Sequence, residues 1–369
     1  AGGAGGGRGR GEPAPGLGGR SQWGVVVDAG SSGSRAHVYE YRAAPPMAHG
    51  GLPEVDLPER TLKVGPGLSS FAQAPEGAGA ALADLVAFAR KEVPEEDWAR
   101  TPIFLLATAG LRMLPVEDQE AILASCRAFL HAQSPFRFKD EWARVLAGDD
   151  EGIYGWVAAN YATGALGPLS RGNAARLLGV VELGGASAQV TMLVPPRKPG
   201  VPLPNGGGAP AAPVVPVKVG NLDVDLFTHS WLGFGQEAAQ AEALRIATEG
   251  GSKESPCLPQ GYTSKGGVTG TGDYEGCRRL ANRVVGSPKA CGGPHCLNGL
   301  VVPELSGAFL ATENFFYTGE FFRLRADAPP IEFERVGKAY CSESWDSVQK
   351  RYNEVPEKDL LKYCFSRSY

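Results

Sequence analysis

From Trp23 onward, short apolar runs alternate with amphipathic stretches. WGVVVDAG (23–30) is apolar up to its aspartate and predicts a buried strand, whereas AHVYEY (36–41) alternates and predicts a half-buried one. Only SSGSR separates them, too few residues for anything but a turn, so the pair predicts a β-hairpin. Between Glu76 and Val93, Leu82, Leu85, Val86 and Ala89 fall on one helical face, and TPIFLLA (101–107) follows as a buried strand. Pro115 opens a helix with the stripe Ile122, Cys126, Phe129 and Leu130, acids close behind the proline. EGIYGWVAANYATG reads as helix as far as Gly164, and RLLGVVELGGASAQVTMLV (176–194) as strand, Gly-rich turn and strand. Strands alternating with helices predict an α/β chain. Two biased stretches interrupt it: residues 1–20, almost all Gly, Arg, Pro and Ala, predict a disordered leader, and 195–216 a Pro/Gly-rich surface loop.

An internal repeat changes this picture most. VVVDAGSSGSRAHVYEY and GVVELGGASAQVTMLV share one plan, an apolar strand ending in an acid, a turn of small residues and a second strand. Superposing Asp28 on Glu182, about 154 residues apart, also aligns Gly30 with Gly184 and Gly33 with Ser187. The repeat predicts two related lobes, 21–166 and 167–369, each giving one hairpin to a shared cleft. Turns of Gly and Ser gather backbone N–H groups into a concavity that a phosphate can approach, and two facing turns would grip a polyphosphate. Two carboxylates beside phosphates suit a divalent cation. No G-x-x-x-x-G-K-[ST] motif is present, so the phosphate chemistry is not that of a P-loop. The fold class expected is therefore two actin-like, RNase H-like lobes, as in the actin, sugar kinase and heat-shock ATPase group, with a nucleotide cleft between them.

Charge narrows the partners. Thirty-six Lys and Arg against 40 Asp and Glu give a net charge of −4, with no global positive field to recruit nucleic acid. No apolar run approaches the ~20 residues of a membrane span. Of seven cysteines, six lie after residue 250, an even, clustered set that reads as three disulfides in one lobe. A zinc site drawn from Cys277, Cys291, His295 and Cys296 is the alternative, disfavoured by its spacing. Cys126, inside a helical apolar pattern, reads as a buried free thiol.

Hydrolysis by water needs a base, and no Ser/His/Asp set or H-E-x-x-H motif is present; the base must be a carboxylate. AGDDEGIYGW offers Asp149, Asp150 and Glu151 at a helix start, where acids also serve as caps. Thr108 sits at the carboxyl end of a strand, where α/β proteins place ligands, or it is a helix N-cap.

DAGSSGSR (28–35), ATAGLR (107–112), DDEGIYGWVAANY (149–161) and ELGGASAQV (182–190) resemble four of the five conserved regions of the apyrases, the ecto-nucleoside triphosphate diphosphohydrolases, in order and spacing. HSWLGFGQEAA (229–239) and ATENFFYTGEFF (311–322) resemble plant members. The likeness runs from about Trp23 to Cys364. It implies a divalent-metal-dependent hydrolase of nucleoside tri- and diphosphates. Glu151 would be the base, with Ser187 and Gln189 positioning the attacking water and Thr108 beside it. Asp28 and Glu182 would hold a Ca²⁺ or Mg²⁺ ion through waters. Gly30, Ser31, Ser32, Gly33, Ser34 and Arg35 match one phosphate loop; Gly184, Gly185, Ala186, Ser187 and Ala188 match the other. Tyr317 would stack on the nucleobase of the substrate, although it also suits a core. The resemblance further suggests the pairs Cys257–Cys277, Cys291–Cys296 and Cys341–Cys364.

Four departures qualify the likeness. Glu182 replaces the usual Asp, Gly33 stands in place of a His of cell-surface animal members, and Gln236 in place of an Arg that some members have near the nucleobase. The sequence also ends after CFSRSY, before the fifth conserved region, so low stability or weak activity is expected of this chain. A membrane anchor upstream and a Golgi-lumenal or extracellular setting are expected from the resemblance and the cysteines, while no N-x-[ST] sequon is present. Two alternatives keep the fold but change the function: a nucleotide-binding protein with impaired catalysis, and an exopolyphosphatase.

Overall fold

A computed structural model describes residues 21–43, 52–57, 60–166, 176–194, 214–286 and 296–369. The leader 1–20, most of the 195–216 stretch and Cys291 lie outside them.

The hairpins form as the patterns predict. β1 (Gln22–Ala29) runs antiparallel to β2 (Ser34–Arg42), and β7 (Gly179–Leu183) antiparallel to β8 (Ser187–Leu193). Their registers coincide under the 154-residue offset: Asp28 faces Arg35 as Glu182 faces Gln189, and Ala29 faces Ser34 as Leu183 faces Ala188. In the first sheet, β3 (Glu54–Asp56) and β4 (Thr61–Val64) add to β2, while β5 (Ile103–Ala107) lies parallel to β1 and β6 (Ala143–Val145) parallel to β5. The second sheet mirrors this order. β10 (Leu222–Leu232) pairs β8, β9 (Val214–Val219) pairs β10, and the strand Phe309–Glu313 runs parallel to β7 as β5 does to β1. The repeat thus extends to a third strand whose sequence gives no sign of it.

β9 begins at Val214, so the expected loop ends before 216; Pro216 is accommodated because β9 is the outer strand, where a missing N–H breaks no ladder.

Each sheet has its own core. Val25, Val27, Leu105 and Ile103 pack under α1 (Ala83–Glu92) and α3 (Val116–Gln133), whose buried residues include the expected Leu85, Val86, Ala89, Ile122, Cys126 and Leu130. The stretch before α1 departs from expectation: Pro75–Gly77 and Ala80–Leu82 are single 3₁₀ turns, and the regular helix starts at Ala83. α4 (Gly148–Ala162) packs on the second sheet, with Trp156 buried among Leu177, Val180, Val219 and Leu226. By packing, α4 therefore belongs with the second core, and the expected first lobe, 21–166, loses its last helix. Its apolar residues follow no sharp stripe, which left the face it buries undetermined from sequence.

Helices α5 (Gln236–Ala247), α6 (Tyr274–Val285), α8 (Pro330–Cys341) and α11 (Tyr363–Ser368) build the cysteine-bearing part of the second lobe. Cys257–Cys277 and Cys341–Cys364 are disulfides; Cys277 is thereby unavailable to zinc. Cys126 is free and buried, and desolvation pushes its thiol up to about 12.

Candidate active site

The two hairpin turns meet in a cleft of about 110 Å³ between the sheets. Its walls include Asp28, Gly30, Ser31, Ser32, Gly33 and Arg35 from the first turn and Glu182, Gly184, Gly185, Ala186 and Ser187 from the second, with Thr108 and Glu151 between them. The turns touch: a Cβ on Gly185 would stand 2.3 Å from Ser31 Oγ. Each is backed by glycines of other segments. A Cβ on Gly67 would fall 2.3 Å from Ser31 O, one on Gly110 2.8 Å from Ser31 Cα, and one on Gly235 2.4 Å from Ala186 N. Behind the second turn, the N–H groups of Gln236 and Glu237 at the start of α5 donate to Gly184 O and Gly185 O at 2.8 and 2.9 Å. The turn's carbonyls are thus drawn toward the helix, away from the cleft.

α4 delivers Glu151. Its start is seated by Ser230 N donating to Asp149 Oδ1 at 3.2 Å and by Gly152, which lets the helix approach Thr191 and Thr228. Glu151 Oε2 accepts from Gln189 Nε2 at 2.8 Å and from Arg112 Nη2 at 2.5 Å, and Ser187 Oγ receives bonds from the same two donors at 2.7 and 3.2 Å. Gln189 Oε1 is buried with no protein partner; a water is the group able to satisfy it. Thr108 donates its N–H to Ala29 O and occupies the N-cap position of the helical turn Ala109–Arg112, but its side chain makes no capping bond and the residue lines the cleft, so the two expected placements coincide.

Three carboxyls of the cleft are pushed above their ordinary range, chiefly by burial. For Asp28 the next cause is Glu313; for Glu151, Arg112 opposes the rise; Glu182, facing Glu151, Glu313 and Asp28, reaches about 8. Such crowding of negative charge is what a divalent cation relieves. Among the described residues no three Asp, Glu, His or Cys side chains lie close enough together to form a direct metal cluster.

Other expected residues fall elsewhere. Ala188 lines an apolar cavity on the opposite side of β8, shared with Phe315 and Trp231. Ser34 is buried beneath the first turn. Tyr317, on α7 (Asn314–Phe321), is half-exposed, edge-on to Phe316 and outside the cleft wall. Gln236 is buried and donates to Ser366 Oγ at 2.5 Å, so it faces α11 rather than a ligand. Cys291–Cys296 lies outside the described residues.

Arg112, Lys63 and Glu313 were missed. Lys63 donates to Ser32 Oγ at 3.2 Å and lines the cleft. Glu313, paired with Leu183 as Ala107 is with Ala29's side of the first sheet, brings a fourth carboxylate at φ 57, a backbone conformation costly for a side-chain-bearing residue. For Arg112 a signal existed: it stands four residues after Thr108, one helical turn along the same strand end.

The GDA1/CD39 (nucleoside phosphatase) family matches over residues 18–369. This chain belongs to that family. It is 38% identical to "Probable apyrase 5" of Arabidopsis thaliana over 381 residues, covering 94% of this chain and 73% of the relative. With the "Nucleoside-triphosphatase" of Pisum sativum it shares 31% identity, covering 95% and 79%. Among solved structures, a nucleoside triphosphate hydrolase from Neospora caninum superposes with a TM-score of 0.61 at 15% identity, over 94% of this chain and 84% of that one, a likeness of fold. The chain is thus an α/β family member in which each of two sheets carries one copy of the repeated hairpin.

Proposed function

We propose that this family member hydrolyses nucleoside tri- and diphosphates to the monophosphate and phosphate by in-line attack of water. The observation that carries this reading is the convergence of Glu151, Gln189 and Ser187 on one hydrogen-bonded cluster at the edge of a cleft walled by two Gly-rich turns. The turns' backbone amides, with Arg35 and Lys63, suit the charge of a phosphate chain. With Oε2 of Glu151 committed to two donors, Oε1 is the oxygen left to take the water proton, while Gln189 Oε1 and Thr108 hold the water in line. No covalent intermediate is invoked. Asp28 and Glu182 would hold Ca²⁺ or Mg²⁺ through waters, and such an ion supplies charge stabilisation at the transferring phosphoryl. The names of the relatives support the substrate class.

The test is Glu151→Gln. Phosphate release from ADP and ATP with Mg²⁺ or Ca²⁺ is expected to fall by about 10²- to 10⁴-fold while binding of a non-hydrolysable analogue persists. A retained rate would remove Glu151 from the role. Two disulfides support an oxidising compartment, the secretory lumen or the exterior, for this protein. Among the described residues no helix is long and apolar enough to cross a membrane.

A further inference from the structure

Arg112 ends α2 (Ala109–Arg112), the single helical turn that follows β5 of the first sheet; Glu151 and Ser187 belong to elements of the second. Its side chain, 14% exposed, crosses between the lobes to both of them. The passage is shaped for it: a Cβ on Gly148 would stand 2.3 Å from Arg112 Nη1, so only glycine at the first residue of α4 leaves the guanidinium room. The base of the crossing is fixed, since Thr108 O accepts from Leu111 N and Arg112 N at 3.1 and 3.3 Å and Thr108 N is itself tied to β1.

Around Glu151 the charges are one-sided. Asp28 faces it from β1, Glu182 from β7, and Asp149 and Asp150 stand on its own helix, Asp149 engaged by Ser230 N and His229; β8 offers only the neutral Gln189 and Ser187. Among the described residues Arg112 is the cation that reaches it. Arg35 and Lys63 serve Asp28 instead.

We propose that Arg112 is the positioning residue of this site: reaching across the cleft, it orients Glu151 and selects which of its oxygens remains free, so that the base is presented only while the two lobes are together. The proposal rests on the hydrolase reading above. Both bonds leave from Nη2; a lysine would supply the charge but would have to bring a freely rotating ammonium to that point, without the fixed plane of the guanidinium to hold its direction.

Arg112→Ala and Arg112→Lys, compared with the parent chain, test it. For Arg112→Ala, kcat with ADP is expected to drop roughly 10²-fold near pH 7 with KM within about threefold, because what is lost is placement of the base rather than grip on the phosphates. The acidic limb of the kcat profile should move up in pH, since the neighbouring carboxylates then favour the protonated form. Guanidinium ion at tens of millimolar should restore part of the rate to Arg112→Ala and none to Glu151→Gln, and Arg112→Lys should fall between. Titrating the Glu151 side chain by ¹³C NMR, with Glu151→Gln assigning the signal, reads the same shift without any turnover. An unchanged kcat and profile, a loss that guanidinium does not touch, or an unmoved Glu151 titration would overturn the role of Arg112. A parent chain that releases no phosphate from any nucleotide would sink the hydrolase reading instead, and the NMR titration would still decide on Arg112.

Discussion

Gly152→Ala is a methyl group placed where the catalytic geometry has no slack. Gly152 is buried at the point where α4 rests on the second sheet, and a Cβ there would lie 2.6 Å from Thr191 Oγ1 and 2.7 Å from Thr228 Oγ1. Those hydroxyls are 1% and 0% exposed and bond each other at 2.8 Å, so neither can turn aside without losing its partner. Restoring ordinary contact requires the start of α4 to lift by about 0.8 Å, at a cost of about 1–3 kcal/mol for overpacking. Glu151 is the preceding residue and moves with it, away from Gln189 and out of register with Arg112. A displacement approaching 1 Å is worth about 10²-fold in rate, or about 2.7 kcal/mol in barrier. The phosphate turns do not rest on Gly152, so KM should stay within about threefold. The assay is steady-state phosphate release from ADP and ATP with a divalent cation, beside thermal denaturation. Ala158→Ser, on the exposed side of the same helix, serves as the control. Adding Thr191→Ala and Thr228→Ala to Gly152→Ala should recover part of the rate by opening the space the methyl needs. A folded Gly152→Ala protein with kcat within threefold of the parent would refute the idea that the seating of α4 places the base.

Three further expectations follow from burial and covalent structure. Glu182 has a folded pKa of about 8, above its ordinary 4.5. Its burial is therefore tolerated fully below about pH 4.5 and destabilises progressively as pH rises toward 8; chelated protein should lose a few kcal/mol over that window, and added Mg²⁺ or Ca²⁺ should return it, as melting curves would show. A flat melting profile with and without cation would contradict this. Replacing Cys257 and Cys277 by Ser opens a loop with a sequence separation of 20 and should lower stability by about 3 kcal/mol, read by denaturant titration. Cys126, free and buried with its thiol pushed up to about 12, should resist a thiol reagent in native buffer and react once the chain is denatured; rapid native labelling would show the first core to be open there.

The sequence alone determined what local pattern can carry. Apolar runs ended by an acid and a turn of small residues specify two hairpins, because strand period and turn chemistry act over a few neighbours, and their repetition under one offset specified the paired lobes and the cleft acids Asp28 and Glu182. Glu151, Ser187 and Gln189 were singled out by the resemblance of four motifs to a known family, since local pattern alone left Asp149, Asp150 and Glu151 equivalent. Tertiary structure decided the rest. The ion pair of Arg112 with Glu151 joins residues 39 apart in different cores, a relation no periodicity encodes. The side taken by α4 depended on which sheet could cover Trp156, and the entry of Glu313 into the cleft on the pairing of a strand 130 residues from its neighbour Leu183. Gln236 turned inward because the start of α5 is occupied by the second phosphate turn while its flank packs on α11. Hydrophobic pattern fixes which face of an element is buried; which partner buries it, and which charges are thereby made to share a desolvated space, is settled only by the assembled molecule.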